Sequence, residues 1–304
     1  MLRPRLRIPR AGALIRQTTP CTRSFHVIPQ LDQFKEENAV PGLLSPAGYQ
    51  TAWTEYMQLV TQRLNYLTAG TDYEQQNALT ILKGTARDSS SAALFNYASM
   101  AHNNHFFFKQ LMNVRHLYES KTGGEPDAAK TGEVTLEPSE SRIPPTFKAA
   151  IERDFSSVET LRREIYATAM GMFGPGFVWL VRPARLKEMR ILVTYLAGSP
   201  YTAAHWRRQP IDTNTSVGDR GRMGNYLQRT AAGAGNTFGR FEHQAPGGTD
   251  VIPLLCLNTW EHVWLTDYGI QGKSDFIQQW WETIDWNKVE ALAAHNTYKP
   301  SQLP

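Results

Sequence analysis

A chain of 304 residues, 41% hydrophobic and 20% charged, carries enough apolar material to bury a real core in one or two domains. No apolar run approaches the roughly 20 residues needed to cross a bilayer, which reads as a soluble chain; two cysteines, Cys21 and Cys256, are too few for a disulfide framework. The formal charge of +4 comes from one end, since residues 1–31 hold six arginines and no acid, and without them 26 basic side chains face 28 acidic ones, which excludes a generally basic nucleic-acid binder.

Taken in chain order, residues 1–31 come first. An Arg-rich, Ser/Thr-containing, acid-free start reads as a mitochondrial presequence, with a basic RNA-binding arm as the alternative. Cys21 would leave with it, and a reducing matrix suits Cys256, which sits in an apolar run as a small core residue. Residues 40–119 read as a helical hairpin domain. Its first helix is "LSPAGYQTAWTEYMQLVTQRLNYLTAG", where Tyr56, Leu59, Val60, Arg63, Leu64 and Leu67 mark a mostly apolar stripe and Gly70 a stop. Its second runs from Ser90 to about Leu117 and is rich in Ala and aromatics. The absence of a strand signal between them predicts an antiparallel pair.

Residues 120–145 form a Gly/Pro/Ser-rich polar linker. A C-terminal α+β domain follows over 146–300. It opens with helices at 146–154 and 156–171, the second starting at Ser157 with Glu159 and Thr160 in its first turn. Strands follow at "GFVWLVRPA", "MRILVTYLAG" and "VIPLLCLN", and short helices from Trp260 close the chain. An insertion at about 205–249 separates the last two strands. The predicted fold class is α+β: an N-terminal antiparallel helical hairpin, then a small antiparallel three-stranded sheet packed with helices.

Two islands hold candidate ligands, "AHNNHFFFKQL" with His102 and His105, and "NTWEHVW" with Asn258 and His262. Asn258 and His262 are four residues apart, one helical face if both are helical. Asn is also a favoured N-cap, and Glu261 stands three positions on, as in a capping box. On this reading Trp260, Trp264 and His262 are packing residues, His105 is a buried, hydrogen-bonded imidazole, and His102 is at the surface.

Here the chain resembles the iron/manganese superoxide dismutases, whose signature Asp-x-Trp-Glu-His is similar to "NTWEH". The stretches "IERDFSSVETLRREIYATAMGMFGPGFVWLV", "DFIQQWWETIDWNKVEAL" and "HNNHFFF" also resemble that family. The resemblance implies a redox metal held by three His and one Asp with a solvent ligand, the carboxylate offsetting the trivalent charge. Carried over residue by residue, it places His105 and His262 at two vestigial ligand positions, with Ala52 and Asn258 replacing the other two. The gateway positions fall on Tyr56 and Val60. Residues 40–70 contain no histidine, so no shift of register restores the first ligand. The expectation is therefore no catalytic residue, no bound metal and no cofactor.

In the family, the Glu of Trp-Glu-His bonds a ligand His of a partner subunit, so the resemblance assigns Glu261 and His262 to a dimer interface. A neighbouring interface Tyr of the family falls on Leu265. A presequence joined to a dead site is similar to the dismutase-like proteins of the fungal mitochondrial small ribosomal subunit, which pair as heterodimers. That resemblance implies a non-enzymatic structural constituent in the mitochondrial matrix, with ribosomal proteins, a second dismutase-like chain and rRNA as partners. The alternatives are a metal-binding dismutase-type oxidoreductase with a rebuilt site, and a matrix scaffold free of ribosomes. In the insertion, Arg207, Arg208, Arg220, Arg222, Arg229 and Arg240 face Asp212, Asp219 and Glu242, with Trp206, Tyr226, Phe238 and Phe241 between them. Such a segment suits protein or rRNA contact.

Overall fold

The computed structural model describes residues 26–35, 37–86, 88, 90–113, 138–183, 188–201, 204 and 251–295. The stretch read as a presequence, through residue 25, most of the stretch read as a linker and all of the 205–249 insertion, including its six arginines, lie outside these residues.

Ser45 opens the first helical run by accepting the Gly48 N–H, and Pro46 follows at the first helical position, where its missing N–H costs nothing. The run is one predicted helix in three parts: α1 (Pro46–Tyr49), a π-helical stretch over Gln50–Glu55, and α2 (Tyr56–Thr68). Gly70, at φ +71°, lies just past its end, where a left-handed residue is cheapest as glycine. Within the expected stripe Val60 and Leu64 are buried together with Met57, but Leu59 is half exposed. The wider π turn shifts which faces point inward.

A short helix missed in the sequence, α3 (Ala78–Thr85), is capped by Asn77. Then α4 (Ala92–Lys109) crosses α2. It ends well before the expected Leu117. Beyond it the Met112 N–H donates to Thr283 O at 2.9 Å and the Asp285 N–H to Gln110 O at 2.9 Å. Backbone bonds to a distant turn have replaced helical ones.

Two helices, α5 (Pro145–Phe155) and α6 (Val158–Gly171), fall where expected, with Ser157 capping the second through the Thr160 N–H. The sheet is antiparallel in the order β2–β1–β3, from β1 (Gly176–Pro183), β2 (Arg190–Tyr195) and β3 (Val251–Asn258). Central β1 is almost wholly buried, which explains its unbroken apolar run. The β1–β3 register slips between Leu180 and Val181, beside Pro253, whose missing N–H is tolerated on an edge strand. Closing the chain are α7 (Glu261–Tyr268), α8 (Lys273–Glu282) and α9 (Trp286–His295).

One continuous core joins α2, α4, α5, α6, all three strands and α7 to α9. Trp280, Trp281 and Trp286 lie at its C-terminal side, and each buried indole contributes on the order of 4–6 kcal/mol of gross transfer energy. The Trp286 Nε1–H donates to Ser139 Oγ at 2.7 Å, and that hydroxyl donates to Trp281 O. A smaller cluster under α3 gathers Leu64, Ile81, Leu82, Phe95 and Tyr201. Cys256 is fully buried in β3, as its apolar surroundings predict.

Candidate functional site

Three elements meet where the ligand positions were expected: the π stretch before α2, the middle of α4, and the end of β3. Ala52, Asn104 and Asn258 are each fully buried there. The Asn104 Nδ2–H donates to Ala52 O at 3.1 Å, and the Asn258 Nδ2–H donates to Asn104 Oδ1 at 3.1 Å. Asn258 Oδ1 in turn accepts the Trp260 N–H at 3.0 Å. The result is an unbroken donor chain from the start of α7, through two amides, to the backbone of the first helical run.

This geometry corrects the expected helix cap. Asn258 is the last residue of β3 and closes a two-residue turn onto Trp260; the N-cap of α7 is Trp260, without a side-chain cap. On α4, Asn104 is the side chain that bonds the Ala52 carbonyl and Asn258. On α4 the buried face runs through Ala101, Asn104 and Phe108, at helical spacing. His105 is half-buried on the neighbouring face, its ring 6.1 Å from Trp53.

His102 is not a surface residue either. Its Nε2 pairs with the Tyr201 hydroxyl at 2.8 Å. Burial, then the positive charges on His105 and Lys83, push its pKa down to about 3. His105 is also lowered, by burial and then Lys109. His262 lies under Tyr56, ring centroids 3.9 Å apart and planes 18° apart, with Trp260 at 5.7 Å. Its Nε2 is buried with no hydrogen-bond partner among the described residues, and burial lowers its pKa to about 4. The imidazole is neutral at physiological pH. Burial, then Tyr97, raises the Tyr56 phenol far above its usual value.

With this arrangement in view, comparison with known proteins places it. Residues 144–212 and 234–292 match the family of iron/manganese superoxide dismutases, C-terminal domain. The chain is similar to that family over much of its C-terminal half. The dismutase-like chain is 29% identical over 267 residues to the small ribosomal subunit protein mS43 of Schizosaccharomyces pombe, covering 88% of this chain and 84% of that protein. It is 27% identical over 206 residues to mS42 of the same organism, covering 67% and 68%. A superoxide dismutase [Fe] of Bacteroides fragilis is 24% identical over 253 residues, covering 83% and 92%.

Around Ala52, Asn104 and Asn258 the described residues do not present the three-His, one-Asp donor set that the resemblance implies for iron or manganese. Ala52 has no donor, both amides are spent on each other and on backbone, and no carboxylate enters the cluster. His262 Nε2 is, among the described residues, a buried imidazole nitrogen without a hydrogen-bond partner. Among the described residues no group of three or more His, Cys, Asp or Glu is placed to hold a metal ion. A neutral amide cannot offset a trivalent charge, and one imidazole holds such an ion poorly.

Glu261 is exposed at the start of α7, whereas His262 turns largely inward onto Tyr56. The C-terminal half also carries exposed apolar side chains: Phe173 (98% exposed), Ile270 (86%), Leu196 (60%) and, one helical turn after Glu261, Leu265 (41%). Hydrogen bonds draw their loops together. The Leu196 N–H donates to Pro175 O at 3.0 Å, Trp260 Nε1–H to Leu196 O at 3.3 Å, and Lys273 Nζ to Met172 O at 3.3 Å.

The root of the insertion is clamped to α4. Asn103 Nδ2–H donates to Gly198 O at 2.9 Å, and Asn103 Oδ1 accepts Ser199 Oγ–H at 2.8 Å. Ser99 Oγ–H donates to Ala197 O at 2.5 Å. Lys83 Nζ sits 4.6 Å over the Tyr201 ring, a cation–π contact at the same root.

Proposed function

We propose that this chain is a non-enzymatic structural constituent of the mitochondrial small ribosomal subunit, using a dismutase fold without its metal as a pairing and contact module. The observation that carries the reading is the amide pair Asn104–Asn258 where the fold would gather anionic and imidazole ligands. The similarity to two S. pombe small-subunit ribosomal proteins across most of the chain supports the same reading.

The partner in this reading is a second dismutase-like chain. That both S. pombe proteins match one sequence fits two related folds pairing with each other. The surface offered includes Glu261 and the exposed apolar side chains Phe173, Leu196, Leu265 and Ile270, with His262 next to Glu261 in sequence. Large apolar side chains are costly to leave in water. The insertion arginines Arg207, Arg208, Arg220, Arg222, Arg229 and Arg240 extend the contact to neighbouring proteins or rRNA. The N-terminal 31 residues act as the presequence that delivers the chain to the matrix.

Gradient sedimentation of the tagged chain from gently lysed mitochondria, with mass spectrometry of its fractions, tests this. The expected result is co-migration with the small subunit and with a second dismutase-like chain. A chain found wholly in the free matrix pool overturns the ribosomal role. Iron or manganese at about one ion per purified chain, together with superoxide consumption, overturns the non-enzymatic one.

A further inference from the structure

We propose that a matrix endopeptidase cuts the chain at one of three peptide bonds, Arg23–Ser24, Ser24–Phe25 or Phe25–His26, and that residues 26–34 stay on as a strap of the mature fold. The inference rests on the presequence reading above and moves the end of that presequence from residue 31 to residue 25 or earlier.

Two independent observations bracket the cut. From the C-terminal side, His26 is already fastened into the fold. Its N–H donates to Asn65 Oδ1 at 2.9 Å and its carbonyl accepts the Asn65 Nδ2–H at 2.8 Å, a two-sided clasp onto the last turn of α2. The ring takes part as well. Thr68 Oγ1 gives its proton to Leu64 O, so the His26 Nε2–H is the donor to Thr68 Oγ1 at 3.1 Å. Further along, Ile28 packs against the core, and Leu31 and Phe34 are buried in it. Gln33 Nε2–H donates to Phe108 O at 3.3 Å, and Gln33 O accepts the Asn113 Nδ2–H at 3.0 Å. The strap thus ties the end of α2 to the end of α4. A cut after Leu31 would remove the clasp and take Ile28 and Leu31 out of the core, leaving cavities that neighbouring side chains refill only in part.

From the N-terminal side, the basic charge stops just short of the clasp. All six arginines of the leader lie at or before Arg23, and the next acidic or basic side chain apart from His26 is Asp32. Acidic surfaces read such a leader through its guanidinium groups, so a cut before Arg23 would leave part of the signal on an otherwise balanced body. Only Ser24 and Phe25 stand between Arg23 and His26. Hydrolysis there consumes one water. Its hydroxyl goes to the carbonyl carbon before the cut, and the freed nitrogen takes the proton and becomes the new α-ammonium. Glu74, whose negative charge already acts on the His26 ring, would stabilise an ammonium at His26 too.

The chain purified from mitochondria through a C-terminal tag gives the test, by intact mass and mass spectrometry of its N-terminal peptide. The first residue should be Ser24, Phe25 or His26. A start at Val27 or beyond, or anywhere from Arg3 to Arg23, overturns the proposal and leaves the presequence reading standing. An uncut chain, starting at Met1 or Leu2, overturns both. In the same purified chain Leu31→Ala should lower the thermal midpoint by several degrees, because residue 31 then belongs to the core. An unchanged midpoint overturns the strap, and the wild-type N-terminus decides the cut if that variant fails to fold.

Discussion

The imidazole of His262 lies flat against the phenol ring of Tyr56, centroids 3.9 Å apart and planes 18° apart. This places the one histidine retained from "WEH" in a packing role between α7 and the first helical run. Tyr56 stands where the resemblance put a gateway residue, and an aromatic ring there supports a ring rather than guarding an ion.

Removing that ring should be felt mainly as lost packing. Tyr56→Ala is expected to cost about 2–4 kcal/mol, and Tyr56→Phe, which keeps the stack, under about 1.5 kcal/mol. Urea titration of the two variants checks this. Equal losses would show that the hydroxyl, not the ring, carries the contact.

Stability should fall in mild acid, and the sign follows from burial. Burial holds His262 neutral, with its pKa lowered to about 4, while in the unfolded chain it titrates near the ordinary histidine value of 6.5. Between those values the unfolded state binds the extra proton, so stability is full above about pH 6.5 and declines as the pH falls toward 4. The loss over that window is on the order of 3 kcal/mol. His102, near 3, carries its decline lower still. Denaturant midpoints from pH 7.5 to 4 should slope downward, and His262→Gln should flatten the slope.

Gln110 joins α4 to β3 by a two-sided clasp. Its Oε1 accepts the Cys256 N–H at 2.9 Å and its Nε2–H donates to Leu254 O, both buried. Gln110→Ala leaves a backbone donor and a backbone acceptor without a partner. The expected loss is about 2–4 kcal/mol, measured by chemical unfolding, with Gln110→Glu also destabilising because one of the two bonds needs a donor.

Asn103 holds the root of the insertion. Asn103→Ala should cost about 1–3 kcal/mol and speed hydrogen exchange at Gly198 and Ser199 relative to amides in the sheet. Exchange unchanged at those two positions would show that Ser99 alone suffices as the clamp.

Phe173 is almost fully exposed, so Phe173→Ser should change the stability of the isolated chain by no more than about 0.5 kcal/mol. If this residue belongs to the pairing surface, the same variant should lose a dismutase-like partner in co-purification. Retained pairing would move the interface elsewhere.

Much of the fold was legible in the residues. Ser157 and its Thr160 contact, the Gly70 stop and the three strands all arise from local preferences that act over a few positions. The end of α4 was not, because Gln110, Leu111 and Met112 are drawn off by bonds to β3 and to the turn around Thr283. Nor was Asn258, which suits a helix cap by type and became a strand end by pairing with Phe177.

By itself the sequence determined which groups exist: no histidine near position 52, an amide where the resemblance implies a carboxylate, and an arginine-rich, acid-free N-terminal stretch on an otherwise balanced chain. Composition and local period suffice for such statements, since they depend on which groups exist and not on where they point. Only the tertiary structure decided that Asn104 bonds the Ala52 carbonyl and Asn258, because partners 52 and 154 residues away are brought together by packing and not by local preference.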